Sequence, residues 1–212
     1  MKKAPSQGRS RQTVDALIEA TARVIAERGW QGTTTNHVAV RAGVSVGSLY
    51  QYFESREDLL TALMHRERDR FMQRLEAAVT GLMGDGNARQ VIRTLLEIAF
   101  TECEQDEALF TALSNDWHIL GASEFADALE VYMLDALRLF LSRLYDVYEP
   151  IDAATVSFML TNGAVMIISR FFTNKPMGVT KQKLLDEMTE LYAGYFERKV
   201  RTPEPLTTSA RA

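Results

Sequence analysis

Between Thr35 and Phe53 the chain reads TNHVAVRAGVSVGSLYQYF. Small and apolar residues fall at Val38, Ala39, Ala42, Val44 and Leu49, with Gly43 at the bend. Two short helices packed at a steep angle need this spacing. Ala39 is small enough for the second helix to approach, Gly43 makes the turn, and Val38, Val44 and Leu49 fill the wedge between them. Ser45 is placed to cap the second helix, whose outer residues Val46, Gly47, Ser48, Gln51 and Tyr52 are expected to face outward. A short helix with small and hydroxylated outer residues fits a DNA major groove, where bulky ones would hold the backbone away.

Working outward, the periodicity is helical almost throughout. From Gln12 to Arg28, Val14, Leu17, Ile18, Thr21, Val24 and Ile25 share a face, and Gly29 follows as a C-terminal cap. Thr34 to Ala42 and Ser45 to Phe53 are the two motif helices. Ser55, followed by Glu57 and Asp58, opens a long helix to Leu82, with acids placed against the exposed N–H groups of its first turn. The run Gly81-Leu-Met-Gly-Asp-Gly is expected to break that helix. Further helices are predicted from Ala88 to Glu104, Glu107 to Trp117, Ser123 to Tyr148, Asp152 to Thr173, and Thr180 to Val200. With no strand pattern, the fold class is all-α: a three-helix helix-turn-helix head over residues 1–56, and a larger helical body over 57–200. The polar, proline-bearing tail 201–212 is expected to be disordered.

Of the 212 residues, 46% are hydrophobic and 25% charged, the balance of a folded globular protein. Charge is divided unevenly. Residues 1–56 hold eight Lys and Arg against four acids, a net +4; the rest holds sixteen against twenty-four, a net −8. A basic head on an acidic body points to a polyanion at one end only. The lone Cys103 excludes an internal disulfide and a cysteine zinc site. The start MKKAPSQGRSRQ has the charges of a signal peptide but Pro5, Gly8 and polar residues in place of its apolar segment. The most apolar run, Val156 to Phe172, is interrupted by polar residues and reads as too short for a membrane span. A soluble cytoplasmic protein is expected, with no membrane partner.

The segment Gly29-Trp-Gln-Gly-Thr-Thr-Thr-Asn-His-Val-Ala-Val-Arg-Ala-Gly-Val-Ser-Val-Gly-Ser-Leu-Tyr-Gln-Tyr-Phe-Glu-Ser-Arg-Glu-Asp-Leu-Leu resembles the N-terminal signature of the TetR family of transcriptional regulators. The resemblance is dense over residues 11–64. It implies a homodimer that binds a palindromic double-stranded DNA operator and is released by a small-molecule effector. Carried over position by position, it puts Thr35 and Asn36 near the DNA backbone. Ser45, Val46, Gly47 and Ser48 open the recognition helix, and Gln51 lies further along its outer face. Tyr50 and Tyr52 match positions that touch phosphates or base edges, Tyr52 standing where the family frequently has histidine. Arg56 stands where the family usually has lysine and would hold a phosphate. Arg9 and Arg11 would form a basic arm for the minor groove.

Other signals carry less. Gly43-Val-Ser-Val-Gly matches the G-x-S-x-G nucleophile elbow in letters, but that chemistry needs a strand before the serine, and a helix precedes it here. His37, His65 and His118 lack metal-ligand spacing, and Gly81-x-x-Gly-x-Gly has neither the order nor the preceding strand of a dinucleotide fingerprint. No enzymatic activity, cofactor or metal is therefore expected. In the body, Phe100, Cys103, Phe110, Leu113, Trp117, Met133, Leu137, Phe140 and Met166 come from several helices that can converge on an apolar effector cavity. His118 and Asn162 are its candidate orienting hydrogen bonders. Nine methionines suit an adaptable site for a hydrophobic or aromatic effector. The nearly all-apolar 152–173 helix and the striped 180–200 helix form the expected homodimer face. The rival reading is a helical protein-interaction module without sequence-specific DNA binding.

Overall fold

The computed structural model describes residues 8–82, 87–115, 122–143 and 151–199. The remaining residues, Trp117 and His118 among them, lie outside the described residues. Within them, every regular element is helical.

The first four elements are α1 (Gly8–Arg28), α2 (Thr35–Ala42), α3 (Val46–Leu49) and α4 (Arg56–Leu82). Each boundary has a local cause. Gly29, at φ +69°, turns the chain out of α1 while its N–H donates to the Ile25 carbonyl at 2.8 Å. Thr34 caps α2 by accepting the His37 N–H at 3.2 Å, and Gly43, at φ +68°, ends it. Ser45 caps α3 through the Ser48 N–H at 3.0 Å. Ser55 accepts the Asp58 N–H at 3.1 Å while Asp58 Oδ2 accepts the Glu54 N–H at 3.0 Å, a reciprocal pair that starts α4.

Two of these boundaries depart from the sequence reading. α1 begins four residues before Gln12, its first turn held by Ser10 Oγ, which donates to the Tyr52 hydroxyl at 3.4 Å. The recognition helix is one regular turn rather than a helix from Ser45 to Phe53. After Leu49 the N–H groups of Gln51 and Tyr52 reach back three residues, and Phe53 folds inward to a fully buried position.

The body comprises α5 (Ala88–Gln105), α6 (Glu107–Asn115), α7 (Ala122–Arg143), α8 (Ala153–Asn174) and α9 (Lys181–Lys199). α4 passes Gly81 and ends at Leu82, inside the run expected to break it. The described part of α7 ends at Arg143, and the expected end at Tyr148 lies outside the described residues. α5 packs along α9, α7 along α8, and α6 lies between α1 and α8. α8 has 22 residues and a stretch of 18 with a mean hydropathy of 1.3, long and apolar enough by length and composition to cross a bilayer, which corrects the expectation that the run is too short. It packs on α5, α6 and α7 and leaves Phe158, Met159, Met166 and Ile167 exposed on its open side.

Two cores result. Leu17, Ile25, Trp30, Val38, Leu49, Phe53, Leu59 and Leu63 fill the head. Phe100, Cys103, Ile168, Phe172, Leu185, Met188 and Tyr192 fill the body. The head core does not stop at residue 56: Leu59, Leu60 and Leu63 of α4 belong to it, and so does Leu109 of α6. The cause is geometric, since the first two turns of α4 must cover the open side of α1 and α2, and α6 closes the remainder.

Candidate nucleic-acid interface

The sequence-nominated surface is assembled at one end of the head. Asn36, Ser45, Gly47, Tyr50 and Gln51 are exposed; Thr35 and Ser48 are half-buried beside them. The Thr35 hydroxyl and the Tyr50 hydroxyl lie 3.2 Å apart, which ties the start of α2 to the end of α3 across the outer face. Ser45 Oγ and Ser48 Oγ are 2.8 Å apart. A Cβ at Gly47 would meet only Ser45 Oγ, at 3.9 Å, so this glycine fills no packing need of the protein and leaves the surface low.

Val46 and Tyr52 are corrections. Both are half-buried and pack against the head core instead of pointing outward. Each stands three residues from Leu49, on the side of the chain that Leu49 buries. Arg56 is also occupied: its Nη1 donates to the Thr33 carbonyl at 3.2 Å and its Nε to Glu57 Oε1 at 2.9 Å. Its guanidinium stacks 4.5 Å from the centroid of the Trp30 ring. Sequence reasoning passed over Trp30, Thr33 and the ring of His37, which together fix the turn between α1 and α2. Thr33 Oγ1 donates to the Gly29 carbonyl at 2.8 Å, and His37 Nδ1 lies 3.1 Å from the Gly32 carbonyl. The run of three threonines from Thr33 was the available signal.

The described effector candidates are not gathered round one cavity. Phe100 and Phe110 are packed edge-on against Phe171 and Phe172, with ring centroids 5.7 Å apart in each pair. Cys103 is buried in the same cluster. Met133, Leu137 and Phe140 are half-buried on α7. Asn162 Nδ2 donates to Glu130 Oε1 at 2.7 Å, linking α8 to α7. Met166 is 59% exposed and so points away from the core, a correction caused by the open side of α8. Leu113 packs on the head core instead. A cleft of about 670 Å³ lies elsewhere, at the head–body joint, lined by Ala26, Glu107, Thr111, Phe172 and Lys175 among others. Inside the body, the buried hydroxyls of Ser157 and Thr189 have no hydrogen-bond partner. Among the described residues no cluster of His, Cys, Asp and Glu is arranged to hold a metal.

A three-helix head presenting a short capped helix, fused to a helical body, defines a helix-turn-helix protein of the regulator type. Residues 17–63 match the family description "Bacterial regulatory proteins, tetR family", and residues 89–196 match "Tetracyclin repressor-like, C-terminal domain". The chain belongs to the TetR family. It is similar to the fatty acid metabolism regulator protein of Bacillus subtilis, 37% identical over 60 residues, 28% of this chain and 31% of that protein. Alignments to the first three curated relatives take in 31%, 42% and 53% of their lengths. The fold is shared with the fatty acid degradation regulator FadR of Bacillus halodurans, TM-score 0.71 at 19% identity, over 91% of this chain and 97% of that one. It is also shared with FadR of Bacillus subtilis in complex with stearoyl-CoA, TM-score 0.67 at 18% identity, over 84% and 97%.

Proposed function

We propose that this chain is a ligand-responsive DNA-binding transcriptional regulator, acting as a repressor in the cytoplasm and not as an enzyme. The observation that carries the reading is the exposed face of Asn36, Ser45, Gly47, Tyr50 and Gln51 on a head fixed by caps on both sides of the turn. Thr35, Asn36 and Tyr50 hold the phosphate backbone; Ser45, Gly47, Ser48 and Gln51 approach the base edges. Two heads read half-sites about one helical turn apart, roughly 34–36 Å.

The dimer forms through α8 and α9. Phe158, Met159, Met166 and Ile167 of α8 and Leu191 of α9 are exposed large apolar residues, a concentration that a second copy would cover. The effector is a small hydrophobic molecule bound in the body. An acyl chain is the favoured class, because relatives regulate fatty acid metabolism and one of similar fold is bound to stearoyl-CoA. The unpartnered hydroxyls of Ser157 and Thr189 are the polar groups such a ligand would meet as the helices part. Release follows only to the extent that the effector binds the operator-incompetent arrangement more tightly.

Selection of randomised duplex DNA by the purified protein near physiological salt tests the reading. Enrichment of one palindrome is expected. No enrichment, together with no salt-dependent binding at low salt, would overturn it in favour of an interaction module.

A further inference from the structure

Thr34 caps the first helix of the turn unit and Ser55 caps the helix that leaves it, so Thr33 stands at the entrance and Arg56 at the exit. One side chain joins the two. Arg56 Nη1 reaches the Thr33 carbonyl, 23 residues back, at 3.2 Å. Its Nε is held by Glu57 at 2.9 Å, and its plane lies over Trp30 at 4.5 Å. Trp30 and Thr33 are themselves buried, 3% and 1% exposed, so the groups that Arg56 grips are fixed to the core. The contact uses the fork, the flat face and the charge of the guanidinium together. A lysine retains only the charge.

We infer that Arg56 is a positioning residue: it clasps the entrance of the helix-turn-helix unit to its exit and so sets where the N-terminus of α2 stands, instead of serving as a phosphate ligand. The inference rests on the operator-binding reading, because what Arg56 positions are Thr35 and Asn36. If the Thr33 carbonyl shifts, the Thr34 cap shifts with it, and the first turn of α2 moves relative to Tyr50 and the α3 surface. DNA affinity then falls without the loss of any ionic contact to DNA.

Salt titrations of operator binding by wild type, Arg56→Lys and Arg56→Gln distinguish the roles. Both variants are expected to weaken binding by about tenfold, the scale of a lost charge-assisted hydrogen bond. Their log–log salt plots should run parallel to that of the wild type. The indole N–H resonance of Trp30 should move in both, since the planar guanidinium no longer stacks on its ring face. The inference is overturned if Arg56→Lys binds like wild type while the slope of Arg56→Gln is shallower by about 0.9 per protomer, the mark of a released phosphate contact. Should Arg56→Gln unfold the head, Arg56→Lys decides alone: loss of affinity supports the clasp and wild-type affinity overturns it. A wild-type chain with no salt-dependent duplex binding overturns the operator reading and this one with it.

Discussion

In the head, two helices of under ten residues are held by side chains acting on their own neighbours. Thr34, Ser45 and Ser55 each cap the helix that starts beside them, and Gly29 and Gly43 turn the chain with positive φ. In the body, long helices are matched by residues far apart in sequence. Arg89 of α5 pairs with Glu190 and Glu197 of α9, Arg93 with Asp186, and Lys181 with Glu104. The aromatic cluster likewise draws Phe100, Phe110, Phe171 and Phe172 from three helices. The short helices of the head are therefore delimited by local caps, while the helices of the body are matched by long-range pairs.

Leu109 is where this division is most exposed to test, because it lies in the body by sequence and in the head core by contact. Leu109→Ala should cost roughly 2–5 kcal/mol, the range for a buried leucine truncated to alanine. Hydrogen exchange is expected to show the lost protection in α1 and the first half of α4, with α9 unchanged. Loss confined to α9 and α5 would mean that the two cores do not share α6.

Gly43→Ala should have the next largest effect. The position has open space, with no atom within 4 Å of a built Cβ, so only the left-handed backbone at φ +68° resists the substitution. The expected loss is about 1–2 kcal/mol in urea denaturation, with Gly43→Asn recovering part of it. Equal stability of all three would show that the bend is set by the packing of Val44 and Leu49 rather than by the residue at the turn.

The same division explains what could be read from the chain. The turn unit was legible because Gly43, Ser45 and Ser55 act within four residues of themselves. The length of α3 was not, since the burial of Phe53 that bends the chain after Leu49 depends on α1 and α4. Tyr52, which follows that bend, was misplaced for that reason, and Val46 because it shares the face of the buried Leu49 three residues on. In the body the helices were legible from period alone, but their partners were not: a stripe containing Met166 looks the same whether it faces core or solvent. The role of Arg56 was hidden because nothing in its neighbourhood of sequence names Thr33 or Trp30.

Cys103 tests the body core by pH. Burial, reinforced by Glu102 and Glu104, pushes its thiol from the ordinary 9.0 up to about 12. Between those values the unfolded thiol is ionised while the folded one keeps its proton. Rising pH therefore favours unfolding, and the stability contribution, complete below 9.0, is lost as pH climbs towards 12. Cys103→Ala should lack that part of the alkaline loss. In the folded protein, labelling by a thiol reagent at pH 8 should proceed at the rate of opening. Prompt labelling would show that the cluster around Phe100 is looser than its ring contacts indicate.

The smallest effect is expected at Arg89. Its guanidinium bridges Glu190 and Glu197 across the α5–α9 seam, and the two carboxylates push its already high pKa further up. All three side chains are well exposed, at 41%, 67% and 46%, so water and salt screen the pairing. Arg89→Gln should lower the unfolding midpoint slightly at low ionic strength and leave it unchanged at about 1 M salt, where the screening length falls to ~3 Å. A large loss that persists in high salt would mean that the arginine stem packs on the seam, and that apolar contact as well as charge registers α9 against α5.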